Sequence, residues 1–570
     1  MYRRTGHLDS VSLSKQSFCR ALPTLAALAA ALVGLVSIAS SLTPNIRWRG
    51  HLLLDFEPVE AMRLFHALAL PAGMALLLVS PYLYKRRRRA WQTTIVLMLA
   101  LGLFDLLKGL DVEETAITWG TAIVLVGGGS AFAVRHDPIT LRSAIWRVPL
   151  LGAVGLLAAG LATWASQGHP SWTSIAHETA DLLQWQAGPI HFHHHFAWIP
   201  LAVHVIELGT LIAIAYVIFR PLAAPRLLPS PAARAAADQL VRDHGTDTLS
   251  FFKLRADKHY FFTEDRRAFV GYRIENGVLL LSGDPVGPGD AFPGLLAEVR
   301  AFADTRGLKL GAVGASERLC PLYEQLGLRT IYLGDEAVVE LGRFSLEGRP
   351  IRKVRQSVTR LGKAGYEAEL RELRSLDAET LEQVEQVVER GRHGAPERGF
   401  SMAMDSLRGQ DDHETLVVIA RDETVPTRPI RGVLHFVPCY GRPAVSLSFM
   451  RRDPETPNGL TEFLVVRAIE LLRERGIEEL SLNFAAFARW MHSPDKRHER
   501  VLGKLVALGN PFFQIESLYR FNAKFFPRWE PRFLVYEGAL GLPRAGIAAM
   551  WAEGQLPKPS LRQRETASAR

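Results

Sequence analysis

Hydrophobicity is spread unevenly along this chain, and that constrains its fold more than any other feature. Before Pro221 stand six apolar runs, near Ala21–Leu42, Leu64–Tyr84, Trp91–Leu107, Ala116–Val134, Val148–Ala165 and Ala197–Phe219. Each approaches the ~20 residues a helix needs to cross a ~30 Å hydrocarbon core. The first part of the chain is therefore expected in a membrane, as a bundle of about six helices.

Charge orients these spans. Arg3, Arg4, Lys15 and Arg20 precede the first run, and Lys85–Arg89 reads KRRRR after the second. Arg135, Arg142 and Arg147 lie between the fourth and fifth, and Arg220 and Arg226 follow the sixth. The alternate loops are more acidic, with Asp55, Glu57 and Glu60, then Asp111, Glu113 and Glu114. Basic loops stay cytoplasmic, so six spans place both the N-terminus and the C-terminal part in the cytosol. A signal peptide over Met1–Ser41 is the rival reading. Its apolar stretch is long for one, and further spans follow. The run HFHHH at His191–His195 has imidazoles that can bind zinc. Without fixed spacing or acidic partners it reads better as an interfacial segment. His204 and Glu207, one helical turn apart in the sixth run, can satisfy each other.

At 570 residues two or more domains are expected. The 67 basic and 58 acidic residues give +9, which suits an anionic membrane face or nucleic acid. Cys19, Cys320 and Cys439 are too scattered for a disulfide framework or a metal knuckle. The expected divisions are 1–220 for the membrane part, 221–245 for a Pro-rich linker and short helix, 246–345 and 346–545 for two α/β units, and 546–570 for a tail.

The two α/β units are read from a weak internal repeat. The first copy runs from a strand at Val278–Ser282 through the loop GDPVGPGD to a helix at Phe292–Arg306. A strand at Leu308–Val313, a helix around Leu319–Leu326 and a strand at Thr330–Leu333 complete it. The second runs from a strand at Ala444–Met450 through RRDPETPNG to a helix at Leu460–Arg475. A strand at Leu480–Phe484, a helix near Glu516–Phe525 and a strand at Phe533–Tyr536 follow. The long helices have apolar residues at helical spacing and end on Arg-Gly, as a C-cap does. Sheets that split near such a loop often bind ligand at the split.

Charged and polar residues cluster at three places. Arg352, Lys353, Arg355, Arg360 and Lys363 crowd one helix between the copies, and few acids interrupt them. Such a run wants an anionic partner, although a solvated helix face is the plainer account. In the second copy, Arg451 and Arg452 end a strand, followed by Asp453, Asn458, Gly459 and Glu462. Arg451 is suited to clamp a phosphate, and Glu462 to bind an ammonium or act as a base, or simply to favour the helix N-terminus. Last comes LYRFNAKFFPRWEPRFLVYE from Leu518 to Glu537, preceded by FFQIES. It interleaves cations with aromatic rings, a pattern fitted to an anion that also offers flat or greasy surface. Glu516, Arg520 and Lys524 share one helical face there, beside Tyr519. The bland version is a Glu–Arg–Lys ladder. The sharper one has Lys524 and Arg520 steadying an oxyanion or a phosphate.

This last segment resembles the C-terminal signature of the phosphatidylglycerol lysyltransferase family, and the resemblance extends roughly over Phe251–Pro557. It is closest to the actinobacterial branch, in which a lysyl-tRNA synthetase is sometimes fused behind the module; no fusion is expected here. The resemblance implies an N-terminal multi-span membrane domain and a C-terminal tandem GNAT-like acyltransferase fold. It implies an enzyme that moves an aminoacyl group, lysine first and alanine second, from aminoacyl-tRNA to phosphatidylglycerol. Catalytic roles then fall to Arg451, Glu462, Lys524 and Glu516. Substrate contacts fall to Asp284, Arg355, Asp453, Asn458, Asn483, Tyr519 and Arg520. Asp284 lies in SGDPVG, similar to the family's first-copy motif, where an Asx-turn is an equally good account. Asn483 lies in SLNFAAF, similar to a family strand, where a partnered core Asn is the plainer reading. The family usually has Asp three positions before the arginine; here it is Ser448, which puts lysine in doubt. Neither copy has the pyrophosphate loop of a coenzyme A-dependent GNAT protein.

Aminoacyl transfer from an ester to a hydroxyl needs positioning, a base and an oxyanion donor. No metal or redox cofactor is expected. Expected partners are aminoacyl-tRNA, phosphatidylglycerol and the membrane itself, with a homo-oligomer compatible with all three. The place expected is the bacterial plasma membrane, multi-pass, with the catalytic part cytosolic. The product would be less anionic and would weaken adsorption of cationic peptides. Diacylglycerol as acceptor, a peptidoglycan-type N-acyltransferase and a non-enzymatic lipid-binding or translocating protein are the alternatives.

Overall fold

The computed structural model describes residues 6–42, 59–109, 111–134, 138–164, 171–183, 190, 199–219, 229–392, 399–404, 407, 414–486, 515–538 and 541–556. The HFHHH run, most of the Pro-rich linker, Arg3, Arg4, Asp55, Glu57 and Arg135 lie outside the described residues. The chain divides near Pro225 into two compact units.

The first unit is helical: α1 (Gly6–Leu42), α2 (Val59–Tyr84), α3 (Arg88–Gly109), α4 (Val112–Gly127), α5 (Pro138–Trp164), α6 (Trp172–Leu183) and α7 (Ile199–Phe219). Among the described residues four stretches are helical, long and apolar enough to cross a membrane: Ala21–Ser40, Arg88–Leu107, Ala144–Trp164 and Ile199–Phe219. A shorter apolar stretch, Ala72–Tyr84, lies in α2. Leu28, Val96, Leu157 and Leu201 are exposed on these helices, as on a lipid-facing surface. The expected run Ala116–Val134 is not one helix. α4 stops after 16 residues, where Gly127 and Gly128 favour termination, and Trp91 Nε1 donates to the terminal Leu125 carbonyl at 2.7 Å. α1 and α2 pack backbone to backbone. A Cβ on Gly34 would lie 2.8 Å from the Gly73 carbonyl, so a side chain there would force them apart. His204 and Glu207 meet at 3.9 Å.

The second unit opens with α8 (Pro231–His244). Ser230 caps it by accepting from the Ala233 amide at 3.2 Å, and Pro231 occupies the first turn. One sheet follows, of β1 (His259–Phe262), β2 (Phe269–Glu275), β3 (Val278–Ser282), β4 (Lys309–Ser316), β5 (Leu328–Glu340), β6 (Tyr366–Glu372), β7 (Leu416–Asp422), β8 (Ile430–Cys439), β9 (Ala444–Arg452), β10 (Glu479–Ala486) and β11 (Arg528–Glu537). Its spatial order is β1-β2-β3-β4-β11-β5-β10-β9-β8-β7-β6. The helices are α9 (Phe292–Arg306), α10 (Cys320–Gln325), α11 (Arg352–Lys363), α12 (Ala378–Arg392), α13 (Leu460–Glu474), α14 (Ile515–Ala523) and α15 (Leu542–Ala552).

The repeat read from the sequence is present as β3-α9-β4-α10-β5 and β9-α13-β10-α14-β11. In each copy the first two strands are parallel, and the remaining pairings in the sheet are antiparallel. The last strands are exchanged. β5 pairs with β10 of the other copy, β11 pairs with β4, and the two lie side by side from Arg528–Val338 to Glu537–Leu328. Read outward from this central pair, β4-β3-β2-β1 mirrors β10-β9-β8-β7, and β6 is an added edge. The two halves are thus pseudo-symmetric and share one sheet.

Each half has its own core. In the first, Leu295, Leu296 and Val299 of α9 cover Leu279, Leu281 and Leu310. In the second, Val354, Val358 and Leu361 of α11 and Phe463, Val466 and Ile469 of α13 cover Leu434, Phe436 and Leu480. Each such fully buried side chain contributes roughly 1.5–3 kcal/mol. The opposite face carries Val384 and Val387 of α12 against Val417, Ile419 and Val433.

Candidate active site

The second half-sheet splits. β9 and β10 pair only at Ala444–Glu479, Val445–Leu480 and Ser446–Ser481. Beyond that point β9 continues with β8 as far as Arg452, while β10 turns away along β5. Asn483 makes the turn, with φ of 71°. Its side-chain amide donates to the Leu447 carbonyl at 2.9 Å and to the Met402 carbonyl. Ser448, on the same stretch of β9, accepts from the Met404 amide at 3.0 Å.

At the end of this strand opens a cleft of about 420 Å³, lined by Gly391, Met450, Arg451, Arg452, Pro454 and Thr461. Arg451 and Arg452 line it together with Thr461 of the first turn of α13, and a helix N-terminus favours an anion. The loop between strand and helix is built to hold this shape. Arg452 donates to Thr456 Oγ1 at 3.2 Å, and Arg360 of α11 donates to the Asn458 carbonyl. Asp453 is buried, accepts from the Glu455 amide at 3.1 Å, and pairs with Arg390 at 3.3 Å and Arg431 at 3.5 Å. Gly459 has φ of 91°, and a Cβ there would lie 2.6 Å from Ser357 Oγ, so only glycine lets α11 seat against the start of α13. Under the cleft, the Arg451 guanidinium lies 5.8 Å from the Phe449 ring, which sits 5.0 Å from His435. Burial pushes the His435 imidazole down to about 3, so it is neutral.

Glu462, in the first turn of α13, accepts from Lys524 Nζ at 2.7 Å. That contact brings two of the expected catalytic residues together. The same ammonium lies 5.1 Å from the Phe521 ring, and Tyr519 stacks on Trp529 at 4.7 Å. Arg520 is exposed on α14. Glu516 is in α14, but its side chain lies outside the described residues. Arg355 is turned to its own loop, donating to the Gly348 carbonyl at 3.1 Å and to Leu346. Arg352, Lys353, Arg360 and Lys363 are exposed along α11, Arg360 being the one bonded to the Asn458 carbonyl.

Asp284 stands elsewhere. It is buried at the end of β3 and accepts from the Ser316 amide at 2.9 Å and the Ser316 hydroxyl at 2.6 Å. Burial and the nearby Asp247 raise its pKa. Around it lies a charged cluster that the sequence did not announce. Arg532 of β11 is held by Glu336 of β5 and by Asp247 at 2.7 Å. Burial opposes ionisation of Asp247, but the Arg532 charge keeps its carboxyl well below the usual range. Lys253 is fully buried beside them, and burial lowers its pKa to about 8. Lys258, equally buried, donates to Ser282 Oγ and to the Phe400 carbonyl. Isolated lysines among aromatics look solvated in a sequence, so only packing reveals them.

Residues 238–536 match the family described as phosphatidylglycerol lysyltransferase, C-terminal. The lysylphosphatidylglycerol biosynthesis bifunctional protein LysX of Gordonia bronchialis is 31% identical over 95% of this chain and 50% of its own length. LysX of Nocardia farcinica is 37% identical over 55% of this chain and 28% of its own. The chain thus spans about half the length, or less, of these curated relatives. A solved structure described as L-PGS from Bacillus licheniformis, 22% identical, superposes with a TM-score of 0.50 over 58% of this chain and 99% of its own, which shows a shared fold. The expected order, apolar membrane-type helices followed by an α/β part built of two related units, is the order found. With more than half of its length matched, the chain belongs to the phosphatidylglycerol lysyltransferase family.

Proposed function

We propose that this protein is a membrane-bound aminoacyltransferase that moves a lysyl group from lysyl-tRNA to phosphatidylglycerol at the split of the second half-sheet. The observation that carries this reading is the cleft lined by Arg451, Arg452 and Thr461 of the first turn of α13, in a chain of this family. A lipid phosphate suits two arginines beside a helix N-terminus. The glycerol hydroxyl attacks the aminoacyl ester carbonyl. A new ester C–O bond forms, the bond to the tRNA ribose breaks, and the hydroxyl proton ends on the ribose oxygen. Lys524, drawn from Glu462 towards the carbonyl oxygen, stabilises the developing oxyanion, and the released Glu462 carboxylate takes up the proton in passing.

The exposed cations Arg352, Lys353 and Lys363 of α11 support contact with a polyanion, here the tRNA backbone. The apolar helices support a multi-pass position in the plasma membrane. The basic segments of the N-terminal part favour a cytosolic site.

The test is transfer of radiolabelled amino acid into chloroform-extractable lipid by the full chain in phosphatidylglycerol vesicles, with lysyl- and alanyl-tRNA offered in parallel. Label from lysyl-tRNA that disappears after RNase pretreatment is the expected result. Label surviving RNase rejects tRNA as donor. Preference for alanyl-tRNA assigns the other amino acid, the outcome favoured if Ser448 sets the choice.

A further inference from the structure

Gly399–Met404 has no regular secondary structure, yet it is gripped along its whole length by both halves of the sheet. The Phe400 carbonyl meets Ser282 Oγ and Lys258 Nζ in the first half. The Ala403 carbonyl accepts from Arg255 at 3.0 Å. The Met402 carbonyl and Met404 amide meet Asn483 and Ser448 in the second. Ser282 and Ser448 hold matching places in the repeat. Counted from the first parallel pairs, Val278–Lys309 and Ala444–Glu479, each is the fifth residue of its strand. The strap therefore runs from the end of β3 to the split of the second half, and its far end bonds Ser448 of β9 and Asn483 of β10, where those two strands part.

One side chain fixes the near end. Glu553, just after α15, is buried and takes three hydrogen bonds from the strap. Its carboxylate accepts from the Phe400 amide at 2.7 Å, from the Ser401 amide at 3.1 Å and from the Ser401 hydroxyl. The Glu553 amide in turn is bonded into the end of α15 through Ala549 at 2.8 Å, and its carbonyl accepts from Gly399 at 3.2 Å. Glu553 lies 17 positions beyond the family match, which ends at residue 536. A carboxylate that accepts only donors has no isosteric neutral substitute here: the amide of a glutamine would point a donor at a donor.

We propose that Glu553 is a positioning residue for the transfer site, acting through the Gly399–Met404 strap on Ser448 and Asn483 and so on the spacing of the cleft at Arg451. The inference rests on the proposed transfer reaction for its activity readout only. Misplacement of reacting groups by about 1 Å costs up to ~100-fold in rate without contact to substrate.

The test uses the full chain in phosphatidylglycerol vesicles and compares wild type, Glu553→Gln, Ser448→Ala and the double variant. Ser401→Ala, which removes one of the three bonds, serves where Glu553→Gln fails to fold. Hydrogen exchange at the Met402–Met404 amides is followed in the same samples. The expected result is faster exchange of the Met404 amide in Glu553→Gln or Ser401→Ala. With it, kcat should fall about tenfold, KM for phosphatidylglycerol should stay within about twofold, and the double variant should be no slower than Ser448→Ala alone. Unchanged exchange at Met404, a kcat within about threefold of wild type, or multiplicative effects in the double variant would overturn it. If wild type transfers no label, the proposed reaction fails, and exchange at Met404 still decides whether Glu553 sets the strap.

Discussion

The two halves of the sheet have one topology and opposite ends. In the first, β3 and β4 stay paired over five residues, Val278–Lys309 to Ser282–Val313, and the Gly283 amide adds a bond to the Val313 carbonyl at 2.8 Å. Asp284 then ties the loop to Ser316. In the second, pairing stops after three residues, Asn483 turns β10 away, and two arginines border a cleft. A closed end filled by the protein's own carboxylate has no place for a phosphate, whereas an end bordered by cations does. The pseudo-symmetric halves thus have two matching strand ends, and the chain's own side chains fill one and leave the other bordered by a cleft.

The largest expected effect lies where the halves interlock. Arg532→Met removes the cation between Glu336 and Asp247 and leaves the buried Glu336 and the half-buried Asp247 without it. A loss of about 3–5 kcal/mol in unfolding free energy is expected. A loss under about 1 kcal/mol, measured by denaturant unfolding of the detergent-solubilised chain, would mean that the exchanged strands do not depend on this cluster.

Next in size is a pH effect from the same cluster. Lys253 gives up its proton near pH 8 in the folded state, against an ordinary 10.5 when unfolded. Between those values the unfolded chain holds more protons, so stability rises with pH through that window. Relative to Lys253→Met, wild type should gain on the order of 3 kcal/mol from pH 7.5 to 10.5. A flat difference across this range would show that Lys253 is not buried as described.

Asp284→Asn should do least. Asparagine still accepts from the Ser316 amide and can donate to its hydroxyl, and a carboxylate disfavoured by burial is removed. Stability should change by no more than about 1 kcal/mol, and lipid labelling by no more than about threefold. A large loss of labelling with normal stability would break the contrast and make the first half part of the site.

Much of this was legible in the sequence, for physical reasons. The strands and helices of the repeat follow from apolar periodicity, and the Arg-Gly ends do mark positive-φ caps at Gly307 and Gly476. Arg451, Arg452 and Glu462 stand out because they adjoin a strand–loop–helix turn. Exchange of β5 and β11 was not legible, since it depends on pairing across nearly two hundred residues of chain rather than on local pattern. The cation-and-ring stretch Leu518–Glu537 shows the limit well. Two of its arginines serve the protein itself: Arg532 is buried in the sheet, and Arg528 pairs with Glu340 at 2.8 Å and Glu479 at 2.9 Å. Lys524 meets Glu462 across 62 residues, a contact no helical spacing encodes.

The most direct measurement compares Arg451→Ala with wild type for RNase-sensitive transfer of labelled lysine into phosphatidylglycerol. If the open end of the second half is the site, labelling falls by about 100-fold or more while the melting temperature stays within a few degrees. Labelling within about threefold of wild type would contradict the account.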